Sequence, residues 1–146
     1  MSASETKSAV GKSDMHQIGE VAQRVDLSLR TVRYYEEMGL ITPEERTHGG
    51  FRLYTEKNIE RLFLIKQMKP LGFSVQEMRD LLDTRDALAE LDPHDPRRQQ
   101  AAEELSQFAE AADERCRKLR TQLAAGAKLA KQLYRESHNE AVSSVR

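Results

Sequence analysis

Residues 97–134 run for 38 positions without a proline and with a single glycine. Along them Leu105, Ala109, Ala112, Cys116, Leu119, Leu123, Gly126, Ala130 and Leu133 recur at alternating intervals of four and three. That alternation over about four heptads is the seam of a coiled coil, and the other faces are Glu, Arg, Lys and Gln. A helix of this length would extend about 57 Å, far more than the small head before it can cover. The stripe needs a second helix, and the simplest source is another copy of the chain. The expected dimerisation residues are Leu105, Ala109, Ala112, Cys116, Leu119, Leu123, Ala130 and Leu133.

Ahead of the long helix, residues 1–14 are small, polar and aperiodic and read as a disordered tail. A patterned head is expected over 15–84. Ile18, Val21, Ala22 and Val25 follow the spacing of a short amphipathic helix. Asp26 and Leu27 interrupt it, and Ser28 is placed to cap a second helix running to about Met38. In that helix Leu29, Val32 and Tyr35 are expected to face inward, with Arg30, Thr31, Arg33 and Tyr34 outward. Two short helices joined by about three residues make a helix-turn-helix.

Gly39 suits the left-handed residue that ends the second helix. Leu40-Ile41 and Phe51-Arg52-Leu53-Tyr54 flank a segment holding Gly49-Gly50, which reads as a β-hairpin wing. Thr55 opens a third helix patterned by Ile59, Leu62, Phe63, Ile65, Lys66 and Met68, and Pro70 and Gly72 close it. Ser74 and Glu77 form a capping box for a fourth helix through Met78, Leu81 and Leu82. The two prolines at 93 and 96 forbid a continuous helix, so 85–96 reads as a linker. Residues 135–146 read as a polar, frayed tail. The fold class is mainly α: a winged helix-turn-helix of four helices and a small hairpin, followed by an antiparallel coiled-coil helix.

Net charge is −1 over 146 residues, and residues 15–70 hold nine Lys or Arg against eight acids. Phosphate affinity depends on cations clustered on one face rather than on the total. The candidate face carries Arg30, Thr31, Arg33 and Tyr34 on the second helix. Arg46, His48, Arg52 and Tyr54 lie on the wing, and Lys66 one helix later. Guanidinium groups read guanine edges, and hydroxyls bind phosphates. In the plainer reading these are solvated surface charges, with Tyr34 and Tyr35 both in the core. Spacing alone leaves both open.

The strings IleGlyGluValAla (18–22), ThrValArgTyrTyrGlu (31–36), GlyLeuIle (39–41), GlyGlyPheArgLeuTyr (49–54) and LeuGlyPheSer (71–74) together resemble the MerR-type regulators. The resemblance implies a homodimer joined by an antiparallel coiled coil and bound to a palindrome in an over-long promoter spacer. It implies distortion of that DNA so that RNA polymerase engages both promoter elements. Carried over by position, Thr31 and Arg33 would enter the major groove, and Tyr34, Arg52 and Tyr54 would meet backbone phosphates. The chain departs from the pattern at Asp26, where a glycine is frequent, and in the insertion AspProHisAspPro.

Metal sensors of this type place one Cys at the start of the long helix and another beyond its end, and neither position is filled here. The one cysteine, Cys116, reads chiefly as a small hydrophobe in the seam. An interchain disulfide and a thiol sensor activated by neighbouring cations are the other readings. No metal and no cofactor are expected. The twelve residues after the seam are too few for a drug pocket. No Ser-His-Asp order, Gly-rich phosphate loop or HExxH string is present, so an enzyme is not expected. No apolar run is long enough to span a bilayer, and a cytoplasmic, nucleoid-associated site is expected. A DNA-anchored architectural or adaptor protein is the rival reading, with the coil recruiting a partner. Either way the chain is expected to sediment as two subunits, free and on its target duplex; a lone subunit in both states would remove the basis for paired reading heads.

Overall fold

The computed structural model describes residues 15–47 and 49–144. They fall into two compact units, one up to Leu105 and one from Ser106 onward. The expected tail at 1–14 lies outside the described residues.

The first unit is built on a helix-turn-helix. Helix α1 (Ile18–Val25) buries Val21, Ala22 and Val25. It stops at Asp26, which takes the left-handed conformation (φ 54°), a region Asp tolerates better than most side chains do. The Leu27 N–H then reaches back to the Ala22 carbonyl at 3.0 Å. Helix α2 (Leu29–Glu37) starts where the Ser28 hydroxyl accepts the Thr31 N–H, and it buries Val32 and Tyr35. Gly39, at φ 76°, turns the chain out of it.

The wing pairs β2 (Glu45–Arg46) with β3 (Arg52–Thr55), in the register Glu45 to Leu53 and Arg46 to Arg52. Gly50, at φ 83°, makes the turn that only glycine adopts readily. A third strand, β1 (Met15–Gln17), lies along the other edge of β3, so the order is β1-β3-β2. The hydrophobic pattern gave no sign of it, because three residues are too few to show alternation.

Helix α3 (Glu56–Met68) is capped by Thr55 and buries Ile59, Leu62, Ile65 and Met68. A 3₁₀ turn (Lys69–Leu71) leads to α4 (Val75–Glu90), whose capping box joins Ser74 and Glu77 in both directions. The core forms where Val21, Val25, Val32, Leu40, Ile41, Tyr54, Leu62, Ile65 and Leu82 meet, each at 2% exposure or less. Helix α5 spans Arg97–Ser143.

Four expectations need correction. Helix α4 continues to Glu90, so the break is 91–96 rather than 85–96; with no breaker before the prolines, the backbone keeps its hydrogen bonds. The segment from 135 is helical as far as Ser143, since polar Glu, His and Asn side chains do not stop a helix already propagating. Leu29, in the first turn of α2, is 43% exposed rather than inward. Phe63 is 42% exposed, because Leu62 and Ile65 take the buried positions on either side of it.

Strand β1 is tied down by an ionic cluster. His16 Nδ1 lies 3.0 Å from Glu20 and Nε2 lies 2.8 Å from Glu56, and Arg24 also donates to Glu56, at 2.6 Å. The Glu20 hydrogen bond, helped by Glu56 and opposed by burial, raises the His16 pKa above 6.5. Arg24 first and His16 second hold Glu56 low. A raised folded-state value means that the His16 contribution is complete below the unfolded pKa and fades as pH rises through the folded one. In urea unfolding, the stability gap between wild type and His16→Gln should therefore be widest at pH 6 and narrow toward pH 8. A gap that stays constant would show that the imidazolium contributes nothing.

Candidate nucleic-acid interface

Helix periodicity sorts the second helix into two faces. Val32 and Tyr35 point into the core, while Arg30, Arg33 and Tyr34 are exposed and Thr31 is half-buried. Tyr34 stands against Tyr35, ring centroids 5.5 Å apart and tilted by 56°, which braces the exposed ring on the buried one. The Thr31 and Ser28 hydroxyls share a hydrogen bond of 2.7 Å, so Thr31 is partly engaged in the helix cap.

The wing sits beside α2 through one carboxylate. Glu36, its side chain only 10% exposed, accepts hydrogen bonds from the Tyr54 hydroxyl at 3.1 Å and from the Arg52 guanidinium. Burial, with the Glu36 carboxylate beside it, raises the Tyr54 pKa, so the phenol stays protonated and donates. Tyr54 is wholly buried. The expectation that it meets a phosphate is corrected: its hydroxyl is used inside the head. Arg52 remains 45% exposed and keeps donors for an outside partner. A shallow depression between helix and wing is lined by Ile18, Arg33, Gly50, Phe51, Arg52 and Tyr54. Arg46 lies in β2, and His48 lies outside the described residues.

Three cations from the following helices hold the carbonyl ends of the helix-turn-helix. Lys66 donates to the Val25 carbonyl at 2.9 Å, with Asp26 O at 3.4 Å. Arg79 donates to the Met38 carbonyl. Arg61 donates through Nε to the Leu40 carbonyl at 2.6 Å while its Nη1 pairs with Asp86. Helix C-termini leave carbonyls without intrahelical partners, and cations there meet the negative end of the helix dipole. Lys66, expected to reach a phosphate, also holds the end of α1, and its side chain remains 42% exposed. Glu36, Arg61 and Arg79 were missed in the sequence, where each looks like one more surface charge at helical spacing.

In the second unit, Cys116 and Ala112 are half-buried and Ala109 and Ala130 exposed, as are Leu119 at 42%, Leu123 at 73% and Leu133 at 52%; Leu105, the last residue of the first unit, is half-buried. Leu119, Leu123 and Leu133 thus present open apolar surface on a single chain. Among the described residues no group of three His, Cys, Asp or Glu could hold a metal, and no helix is long and apolar enough to cross a membrane.

The sequence pattern of the MerR HTH family regulatory proteins matches residues 17–85. The chain carries a MerR-family head. It is 45% identical over 71 residues to the HTH-type transcriptional regulator ZntR of Escherichia coli, covering 49% of this chain and 50% of that protein. It is 44% identical over 69 residues to the mercuric resistance operon regulatory protein of Bacillus cereus, covering 47% and 52%. The chain therefore spans about half the length of the curated relatives it matches. Among solved structures, a transcription regulator from Ralstonia metallidurans in complex with lead(II) is 29% identical over 81% of this chain and 82% of that one, with a TM-score of 0.52. HiNmlR, a MerR family regulator lacking the sensor domain and bound to promoter DNA, shares the fold at 20% identity. Its TM-score is 0.62, over 80% of this chain and 85% of that one. The MerR-type winged helix-turn-helix with a long following helix is the architecture of this protein.

Within that MerR-family head, the role of Lys66 can be separated from phosphate binding. Lys66→Ala should lower unfolding free energy by about 1 kcal/mol, read as a shifted urea midpoint, and leave the salt dependence of DNA affinity unchanged. A shallower salt slope with unaltered stability would return Lys66 to the phosphate contacts.

Proposed function

We propose that this chain is a transcription regulator that binds a palindromic promoter site as a homodimer and distorts the spacer it occupies, with RNA polymerase as its partner there. The single observation that carries this reading is the outer face of α2, where Arg30, Arg33 and Tyr34 stand exposed over a helix anchored by Val32 and Tyr35. A recognition helix needs that division: buried residues fix its pose, and exposed guanidinium groups meet base edges in the major groove. Arg52 on the wing, with Arg46 beside it in register, supplies backbone contacts that set orientation and read no base edge directly. The MerR-type match over 17–85 and a structural neighbour solved on promoter DNA support the same assignment.

Pairing of two chains is assigned to the seam that includes Leu119, Leu123 and Leu133, whose apolar surface is open on a single chain. Each leucine is already partly covered on the single chain, so covering the rest stabilises the pair by about 1–2 kcal/mol, and a two-fold dimer matches a palindrome. No metal response is carried over from the relatives: a soft-metal site wants at least two thiolates or a thiolate–histidine set, and His94 and His138 lie far in sequence from Cys116.

Footprinting tests the reading. Arg33→Ala should cost about 1–3 kcal/mol per half-site in binding to the preferred duplex, a loss of roughly five- to 150-fold for each subunit, while the sedimentation of the free protein stays as in wild type. An unchanged footprint would remove Arg33 from the readout. Mapping bound sites against promoter spacing then distinguishes distortion of an over-long spacer from simple occlusion.

A further inference from the structure

An acid sits in the middle of the surface that has to face phosphates. Glu36 lies on α2 one turn after Arg33, and its carboxylate bridges to Arg52 and Tyr54 of the wing. Its side chain is 10% exposed, while Arg52 is 45% exposed. The carboxylate is too enclosed to be a base-reading group of its own, and its charge opposes any approach to DNA. Its partner, however, is one of the exposed cations of the interface.

We propose that Glu36 is a positioning residue that raises sequence discrimination, by holding Arg52 in one direction and cancelling its charge toward DNA in general. This rests on the DNA-binding reading given above. Arginine has five N–H donors in a rigid fork. One arm is given to Glu36, and the remaining donors point where the fixed fork aims them. Sequence-independent attraction scales with the number of phosphates neutralised by free cations, and a paired Arg52 contributes little to it. A directional contact, made only when a backbone phosphate falls in the right place, gains from a side chain already ordered, and where that phosphate falls depends on the shape and deformability of the sequence rather than on any base edge Arg52 touches. Tyr54 completes the device. Its protonated hydroxyl takes the other carboxylate oxygen, so Glu36 cannot swing outward without leaving a buried donor unpaired.

The test compares wild type, Glu36→Gln and Glu36→Asp on two probes: a duplex selected by the wild-type dimer from a random pool, and a duplex of scrambled sequence. Glu36→Gln keeps an acceptor for Tyr54 but releases the charge of Arg52. Its affinity for scrambled duplex should hold or rise, with a salt slope for the dimer steeper by about 1.8, one more phosphate neutralised by each subunit. The ratio of selected to scrambled affinity should fall by about tenfold or more, the scale of one lost contact in each half-site. Glu36→Asp keeps the charge and withdraws the carboxylate by one methylene. It should keep the wild-type slope and lose preference, and it provides the readout if Glu36→Gln does not fold. An unaltered ratio in the folded variants, or equal losses on both probes, would overturn the proposal and leave Glu36 a purely structural link. If wild type itself selects no sequence from the pool, the DNA-binding reading fails first, and this proposal with it.

Discussion

Two short helices at a fixed angle are marginal objects in water, because helices of eight or nine residues bury little and leave most of their terminal carbonyls unpaired. In this head the deficit is met from outside the motif. Lys66 takes the carbonyl at the end of α1, Arg79 the one that follows α2, and Arg61 the one at Leu40. These cations reach over from α3 and α4. The pose of α2 therefore depends on the two helices behind it, and Asp86 and Asp83 in turn hold Arg61. The supporting chain continues where Arg98, in the first turn of α5, donates to the Leu88 and Leu91 carbonyls at the end of α4.

The same dependence explains a puzzle in the charge. A net −1 looks wrong for a protein facing a polyanion. Much of the positive charge of the head is spent internally on carbonyl ends, and much of the acid is spent on cations: Glu56 on Arg24 and His16, Asp86 on Arg61 and Glu36 on Arg52. What remains outward on α2 is a small set of guanidinium groups rather than a broad basic field. Such a surface draws less from long-range attraction and more from directed contacts.

Much of the first unit is legible in the sequence. Ser28, Thr55 and Ser74 were identified as caps from residue type and the hydrophobic runs after them, and each accepts the expected backbone N–H. Gly39 suits a left-handed position from residue type alone, and it takes one. The failures share a cause. Tyr54 and Leu29 sit at positions where the face of an element is decided by what packs across from it, which periodicity within the element does not contain. Strand β1 exists because β3 offers it an unpaired edge, a fact of pairing between residues about forty positions apart.

The sequence by itself determined the local vocabulary: where helices start and stop, which residues form the apolar stripe of the long helix, and which side chains of α2 alternate between core and solvent. These follow from propensity, capping and period, all carried by neighbours within a few residues. Only the tertiary structure decided the employment of the charges. Whether a Lys or Arg meets water, a carboxylate or a helix end depends on long-range approach, since a long side chain on a helix surface can reach several partners and its own neighbours do not choose among them.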